Sequence, residues 1–207
     1  FINSILYTSL VVVGIVVISS LAAYAFSRFK FPGRTILFIM FMAAMMIPIP
    51  GSFVPLYVLL NKLHLRDTSI GYVLCMINVG LSTSIFLLKT FFDKMPKELE
   101  DAARIDGCNK LGIWWNVALP LAKPVLAVVV VFNALNVWNE YVLALIIFDS
   151  KHLMPLQVAL MTFQGEFITK YPLLMAGLTI TALPIIIVYI LMQKYIVKGV
   201  TQGALVG

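Results

Sequence analysis

Apolar residues in this chain fall in long unbroken runs, not in the alternation of a half-buried strand or the stripe of a soluble helix. Five windows stand out, at residues 5–26, 35–61, 68–88, 124–148 and 171–193, and the only charged residue inside them is Glu140. A helix rises about 1.5 Å per residue, so about 20 residues cross a hydrocarbon core roughly 30 Å thick. Each window is long enough to do so. The pattern predicts an all-α, multi-spanning transmembrane helical bundle forming a single domain over residues 1–207, with five spans. Composition agrees: 61% of residues are hydrophobic and 12% charged, and the mean hydropathy is +1.00, outside the range of ordinary soluble domains.

Proline and glycine interrupt the second window at MIPIPG, residues 46–51. A regular helix does not continue through this sequence, which predicts a span from residue 35 to about 47 and then a change of direction. The following FVPLYVLLNKLHL reads as a short interfacial helix at the outer surface, with Lys62, His64 and Arg66 at its end. Asp67, Thr68 and Ser69 are placed to cap the next helix by accepting its free N–H groups. His64 and His152 have no acidic partner at metal-ligand spacing and read as surface histidines, so no metal site is expected. Cys75 lies inside the third window and Cys108 in a charged loop, at different depths, which argues against a disulfide between them.

Basic residues fix the expected orientation. Alternate loops place Arg28, Lys30, Arg34, Lys89, Lys94, Lys97, Arg104, Lys110, Lys123, Lys194 and Lys198 on one side, against Lys62, Arg66, Lys151 and Lys170 on the other. The positive-inside rule then puts the charged hairpin at residues 93–123 and the tail at 194–207 in the cytoplasm. The net charge of +6 is accounted for by this asymmetry and calls for no nucleic-acid partner.

The hairpin contains ELEDAARIDG, residues 98–107. Pro96 suits a first helical turn, Glu98, Glu100 and Asp101 suit the positive N-terminal end of a helix, and Glu100 with Arg104 reads as an i, i+4 pair. Gly107 suits a left-handed residue just past the helix, and Asn109 can cap a second short helix running towards Leu119. Pro120 and Pro124 punctuate the entry to the next span. Leu99, Ala102 and Ala103 share one side of the first helix, and small residues at adjacent positions permit close approach of another surface. On these grounds alone, a solvated loop and a docking surface are equally supported.

Polar residues within apolar spans are costly and tend to face a cavity or a neighbouring helix. Asn78, Ser82, Thr83 and Ser84 in the third window, Asn133, Asn136, Trp138, Asn139 and Glu140 in the fourth, and Thr179 and Thr181 in the fifth are of this kind. Asn133 and Asn136 read as one helix face with Glu140 a turn beyond, suited to bonding hydroxyls, with Trp138 available to stack on a ring. Helix packing explains the same residues equally well. No phosphate-binding G-x-x-x-x-G-K-[ST] is present, nor H-E-x-x-H or G-x-S-x-G, so no catalytic residue is assigned. An ion-coupled secondary transporter is the alternative, but a single intramembrane carboxylate and no clear repeat give it little support.

EDAARIDG followed by LPLAKP resembles the EAA loop of bacterial and archaeal ABC importer permeases. YAFSRFKFPGR at 24–34, MIP followed by PLY, VWNEYVLAL at 137–145 and the tail KGVTQGALVG extend the likeness over nearly the whole chain. They are similar to the smaller of the two permeases in carbohydrate importers of the maltose and glycerol-phosphate type. The resemblance implies six spans, hence a further one preceding Phe1, and a heterodimer with a second permease. It also implies two ATP-binding subunits, which bind ATP and magnesium, and an extracytoplasmic solute-binding protein. It assigns the hairpin to coupling with the ATPase. Glu100 and Asp101 would make polar contacts, Ala102 and Ala103 would pack closely, Gly107 would form the turn, and Asp106 would belong to the same coupling set. Asp101 stands where the family usually has Glu, and Cys108 where Ala is common. No cofactor is expected on this chain itself.

Overall fold

The computed structural model describes residues 1–47, 49–161, 163 and 171–204. Pro48, Lys170 and the side chains from Lys194 onward lie outside the described residues. The expectation for the tail at 194–207, which rests on the side chains of Lys194 and Lys198, lies there too. Among the described residues every regular element is helical.

Among the described residues three helices are long and apolar enough to cross a membrane: α1 (Ile2–Arg28), α4 (Ser69–Lys94) and the Tyr171–Leu191 part of α11 (Tyr171–Ala204). A fourth span is available only as a bent pair, Lys110–Leu121 and Lys123–Asn139, whose axes differ by 79°. The second window departs from expectation. Its helix α2 (Arg34–Ala44) has 11 residues and rises about 16 Å, half of what a crossing needs, because the proline-rich break that follows ends it. The predicted short helix beyond the break is present as α3 (Phe53–Lys62). The fourth window is also divided, into α8 (Lys123–Asn139) and α9 (Val142–Ile147).

The chain forms two units, one of residues 1–13, 48–78 and 131–193, the other of residues 14–47, 79–130 and 194–207. In the first unit Tyr7, Tyr72 and Phe148 are almost fully buried and meet with ring centroids 5.1 to 5.8 Å apart. The Tyr7 hydroxyl donates to the Leu153 carbonyl at 2.9 Å and lies 3.0 Å from Ser69 Oγ. Asn3 donates to the His152 carbonyl at 2.7 Å, and Ser4 Oγ accepts the Leu156 N–H at 2.7 Å. The start of α1 thus pins the loop from Asp149 to Leu156.

Asp67 does not cap α4. Thr68 does so, its hydroxyl accepting the Gly71 N–H at 3.1 Å. The Asp67 backbone is left-handed, with φ 54°, and its carboxylate accepts Ser150 Oγ–H at 2.6 Å, the Ser150 N–H at 2.9 Å and the Asp149 N–H at 3.0 Å. These bonds, that from the Ser150 hydroxyl foremost, hold the Asp67 carboxyl below its ordinary range. A group whose folded pKa is depressed stabilises the fold fully above its unfolded value, near pH 4, and that contribution is lost as pH falls through the folded value. Asp67→Ala is therefore expected to melt earlier than wild type at pH 7. The two melting curves should converge on acidification below about pH 4; a constant gap at all pH values would assign the loss to something other than the carboxylate.

In the second unit the core gathers on aromatic rings at the end of α1. Tyr24 meets Phe92 and Phe29 edge-on at 5.7 and 5.8 Å, and Phe26 touches Phe31, Phe38 and Phe41. On α4, Ile85, Leu88 and Phe92 are buried at helical spacing. This packing supports the charged hairpin.

Candidate functional site

The hairpin is built as its local sequence dictates. Helix α5 (Glu98–Ile105) has no side-chain cap at its start, where Glu98, Glu100 and Asp101 lie in the first turn and offset the positive end of the helix. It closes through Gly107 at φ 84°. The Gly107 N–H reaches the Arg104 carbonyl at 3.0 Å and the Cys108 N–H the Ala103 carbonyl at 2.9 Å, the paired bonds of a Schellman termination. Asn109 then caps the next helix, its Oδ1 accepting the Gly112 N–H at 2.7 Å. That helix runs on through a π-helical turn at Trp114–Ala118 to Leu121. Pro120 lacks the N–H that the Asn116 carbonyl would otherwise receive, which suits a wider turn just before it.

Charge placement on α5 corrects two expectations. Glu100 is 3% exposed and pairs with Arg28 of α1, Oε1 to Nε, at 2.5 Å, while Tyr24 donates to its Oε2 at 3.2 Å. Arg28 also donates to the Met95 carbonyl at 2.6 Å. Glu100 is thus turned inward as an anchor, not outward towards a partner, because α5 packs this face against α1. The i, i+4 pair with Arg104 does not form. Arg104 instead bonds Asp101 at 3.0 Å, an i, i+3 pair with both side chains more than half exposed, and such surface pairs contribute about 1 kcal/mol at most.

The remaining hairpin residues divide by face. Ala103 is buried under α5, whereas Asp101, Ala102, Asp106 and Gly107 are exposed. The outer surface also carries apolar side chains that sequence reasoning passed over: Ile105 is 88% exposed, Leu111 66% and Trp115 64%. Their signal was available, since they are apolar residues in a charged segment at positions that the inward-facing residues do not use. The structure therefore presents a small, stiff hairpin whose outer side joins small, acidic and large apolar groups. Lys110 holds it from the side, with Nζ 4.8 Å from the Phe29 ring centre.

The polar residues of the spans do not gather on one face. On α8, Asn133 is buried, whereas Asn136 and Asn139 are exposed, and Asn139 donates back to the Leu135 carbonyl at 2.8 Å. Trp138 is buried, with its indole N–H donating to the Thr181 carbonyl at 3.1 Å. It borders a largely apolar cavity of about 210 Å³ with Thr8, Ser9 and Pro184. Glu140 stands at the break between α8 and α9 and accepts the Leu143 and Ala144 N–H groups at 2.6 and 3.1 Å. It is the cap of α9, a role that corrects its reading as a face-mate of Asn133 and Asn136. On α4, Asn78 is exposed and Ser82 half-buried. Asn78, Asn136 and Asn139 are therefore the members of the set that present amide groups at a surface.

Comparison with known proteins places this architecture. Over 205 residues the chain is 40% identical to a putative ABC transporter permease protein, ORF2, of Caldicellulosiruptor sp. (strain Rt8B.4), covering 99% of this chain and 74% of that protein. It is 34% identical over 205 residues to the arabinooligosaccharides transport system permease protein AraQ of Halalkalibacterium halodurans, covering 99% and 73%. Among solved structures, a chain of a bacterial ABC transporter involved in the import of the acidic polysaccharide alginate superposes with a TM-score of 0.84 at 28% identity, over 95% of this chain and 74% of that one. Residues 14–202 match the family described as binding-protein-dependent transport system inner membrane component. With residues 14–202 matching that family and a permease relative 40% identical over nearly its whole length, the chain belongs to that family of membrane permeases.

Proposed function

We propose that this chain is one of two nonidentical permease subunits of an ATP-driven importer for a sugar or oligosaccharide. A second permease completes the pathway, a pair of separate ATPase subunits binds ATP and magnesium, and a solute-binding protein delivers the substrate from outside. No chemistry occurs on this chain. The observation that carries the reading is the rigid hairpin of α5, Gly107 and the Asn109-capped helix, whose outer side exposes Asp101, Ala102, Ile105 and Trp115. A merely solvated loop gains nothing from exposing Ile105 and Trp115, whereas a docking surface does. Relatives named for arabinooligosaccharide and starch-degradation-product transport support the substrate class. The distribution of lysine and arginine supports a cytoplasmic hairpin and tail. Asn78, Asn136 and Asn139 are the side chains we assign to contact with sugar hydroxyls along the pathway.

The test is substrate-stimulated ATP hydrolysis by the reconstituted complex. The double substitution Asp101→Arg with Ile105→Asp alters exposed positions, so helicity and melting temperature should stay as in wild type. Stimulated hydrolysis should fall at least about tenfold, the consequence of about 1.4 kcal/mol lost at the interface. Full stimulation in that variant would show that the hairpin is not the coupling surface.

A further inference from the structure

Beside the hairpin, in the second unit, lies a cleft of about 370 Å³, and the coupling reading makes no use of its Lys30, Arg34 and Lys97. Its walls come from the end of α1, the start of α2 and the inner flank of α5. Five cations border it: Arg28, Lys30, Arg34, Lys97 and Arg104. Two carboxylates face them, and both are engaged, Glu100 by Arg28 and Asp101 by Arg104. Among the described residues Lys30, Arg34 and Lys97 are left with no carboxylate partner, and the Arg34 guanidinium donates to the Phe29 carbonyl at 3.2 Å. Ser27 also lines the cleft, and its buried hydroxyl has no hydrogen-bond partner among the described residues. A pocket with three surplus positive charges and a free hydroxyl is suited to an oxyanion.

We infer that this cleft binds the phosphate group of an anionic phospholipid, with Lys30, Arg34 and Lys97 as its cationic ligands. Three features select a lipid over an acidic protein surface. The cleft opens where the apolar helix α1 ends at Arg28 and α2 begins at Arg34, the level at which headgroups meet a membrane protein. Next to it, α2 exposes Ile36, Ile39 and Met40, at 67%, 58% and 61%, an apolar wall for an acyl chain. The same charges lie on the side assigned to the cytoplasm, where basic pockets beside spans take anionic headgroups. The inference rests on the cytoplasmic placement of residues 93–123 for the leaflet concerned, but the binding itself can be measured without it.

Native mass spectrometry of the detergent-purified full chain provides the test, with titration of dioleoyl phosphatidylglycerol, dioleoyl phosphatidylcholine and glycerol-1-phosphate. The charged lipid should bind at least about tenfold more tightly than the zwitterionic one, which has the same chains. Replacing both lysines, Lys30→Gln with Lys97→Gln, should remove most of that preference, and Lys30→Arg with Lys97→Arg should keep it. Both lysines are exposed, so circular dichroism and melting temperature should report an intact fold in each variant. Equal binding of the two lipids, or a preference untouched in the Gln variant, would overturn the proposal. Glycerol-1-phosphate binding as tightly as the charged lipid would overturn the lipid assignment in favour of a soluble phosphate ester. The lipid titration uses the chain with its hairpin unaltered and needs no ATPase, whereas the coupling test reads hydrolysis by the reconstituted complex, so the two proposals fail separately.

Discussion

Glu100→Met is expected to destabilise this protein by about 3–5 kcal/mol, because it leaves the Arg28 guanidinium buried without its counter-charge. The side chains of Arg28 and Glu100 are 6% and 4% exposed, so water cannot take over the lost partner. The charges approach to 2.5 Å, and the directional hydrogen bonds come from Tyr24 to Glu100 and from Arg28 to the Met95 carbonyl. Arg28→Met should be damaging for the converse reason, since the Glu100 carboxylate would then keep only the Tyr24 hydroxyl. Replacing both residues together, Arg28→Met with Glu100→Met, removes both desolvation costs and should recover most of the stability, as apolar replacements of buried pairs do. Thermal unfolding in detergent of the four proteins of this cycle gives the coupling. Additive losses would show that the pair contributes no mutual stabilisation.

The functional side of the same cycle is sharper than the stability side. Arg28 closes α1 and Glu100 lies in the first turn of α5, so the pair ties the hairpin to a span. Ile105 and Trp115 are exposed while Ala103, Ile113 and Trp114 are buried beneath. A hairpin that docks on an ATPase can move a span only if such a link holds. The apolar double variant, if it folds, should therefore keep ATPase binding and lose part of the transport per ATP hydrolysed. Asp101 has no such anchor, and its loss should weaken docking without loosening the hairpin from α1.

The hairpin was readable from sequence because its determinants are local. Gly107, Asn109 and the acidic first turn act within four residues of their own backbone partners. The windows that became α1, α4 and α11 were readable for a similar reason, since length and apolarity suffice to define them. Glu100 was misplaced because its partner is 72 positions away, and nothing within one turn of helix distinguishes a carboxylate facing inward from one facing out. YAFSR did contain a clue, as Tyr24 and Arg28 are i, i+4 neighbours and share a helix face. Glu140 was read with the asparagines for the same lack of information. A carboxylate in an apolar run signals either a pathway or a backbone that needs capping, and only the break at Glu140 and Tyr141 decides between them. The division of the second window followed from its prolines, and the same break keeps α2 short.

Gly71→Ala is expected to be severe for a reason that no window of hydropathy contains. A Cβ at this position would sit 2.1 Å from the Leu65 carbonyl oxygen and 3.1 Å from Thr68 Oγ1. The first of these is a backbone atom and cannot swing aside, so the turn or the start of α4 has to move by about 1 Å. Overpacking of this kind costs about 1–3 kcal/mol, and here the upper end is expected because three dependent features would shift together. The Thr68 hydroxyl that caps α4 also donates to the Leu65 carbonyl at 2.7 Å. His64 and Asp67 both hold left-handed backbones, which any displacement of the turn must disturb. Asp67 and Arg66 then bond Asp149 and Ser150, Arg66 Nη2 at 2.6 Å from the Asp149 carboxylate. Amide hydrogen exchange should therefore rise in Gly71→Ala not only at residues 63–72 but also at 149–153. Faster exchange confined to the turn would mean that the Asp67 bonds do not transmit its position to the second loop.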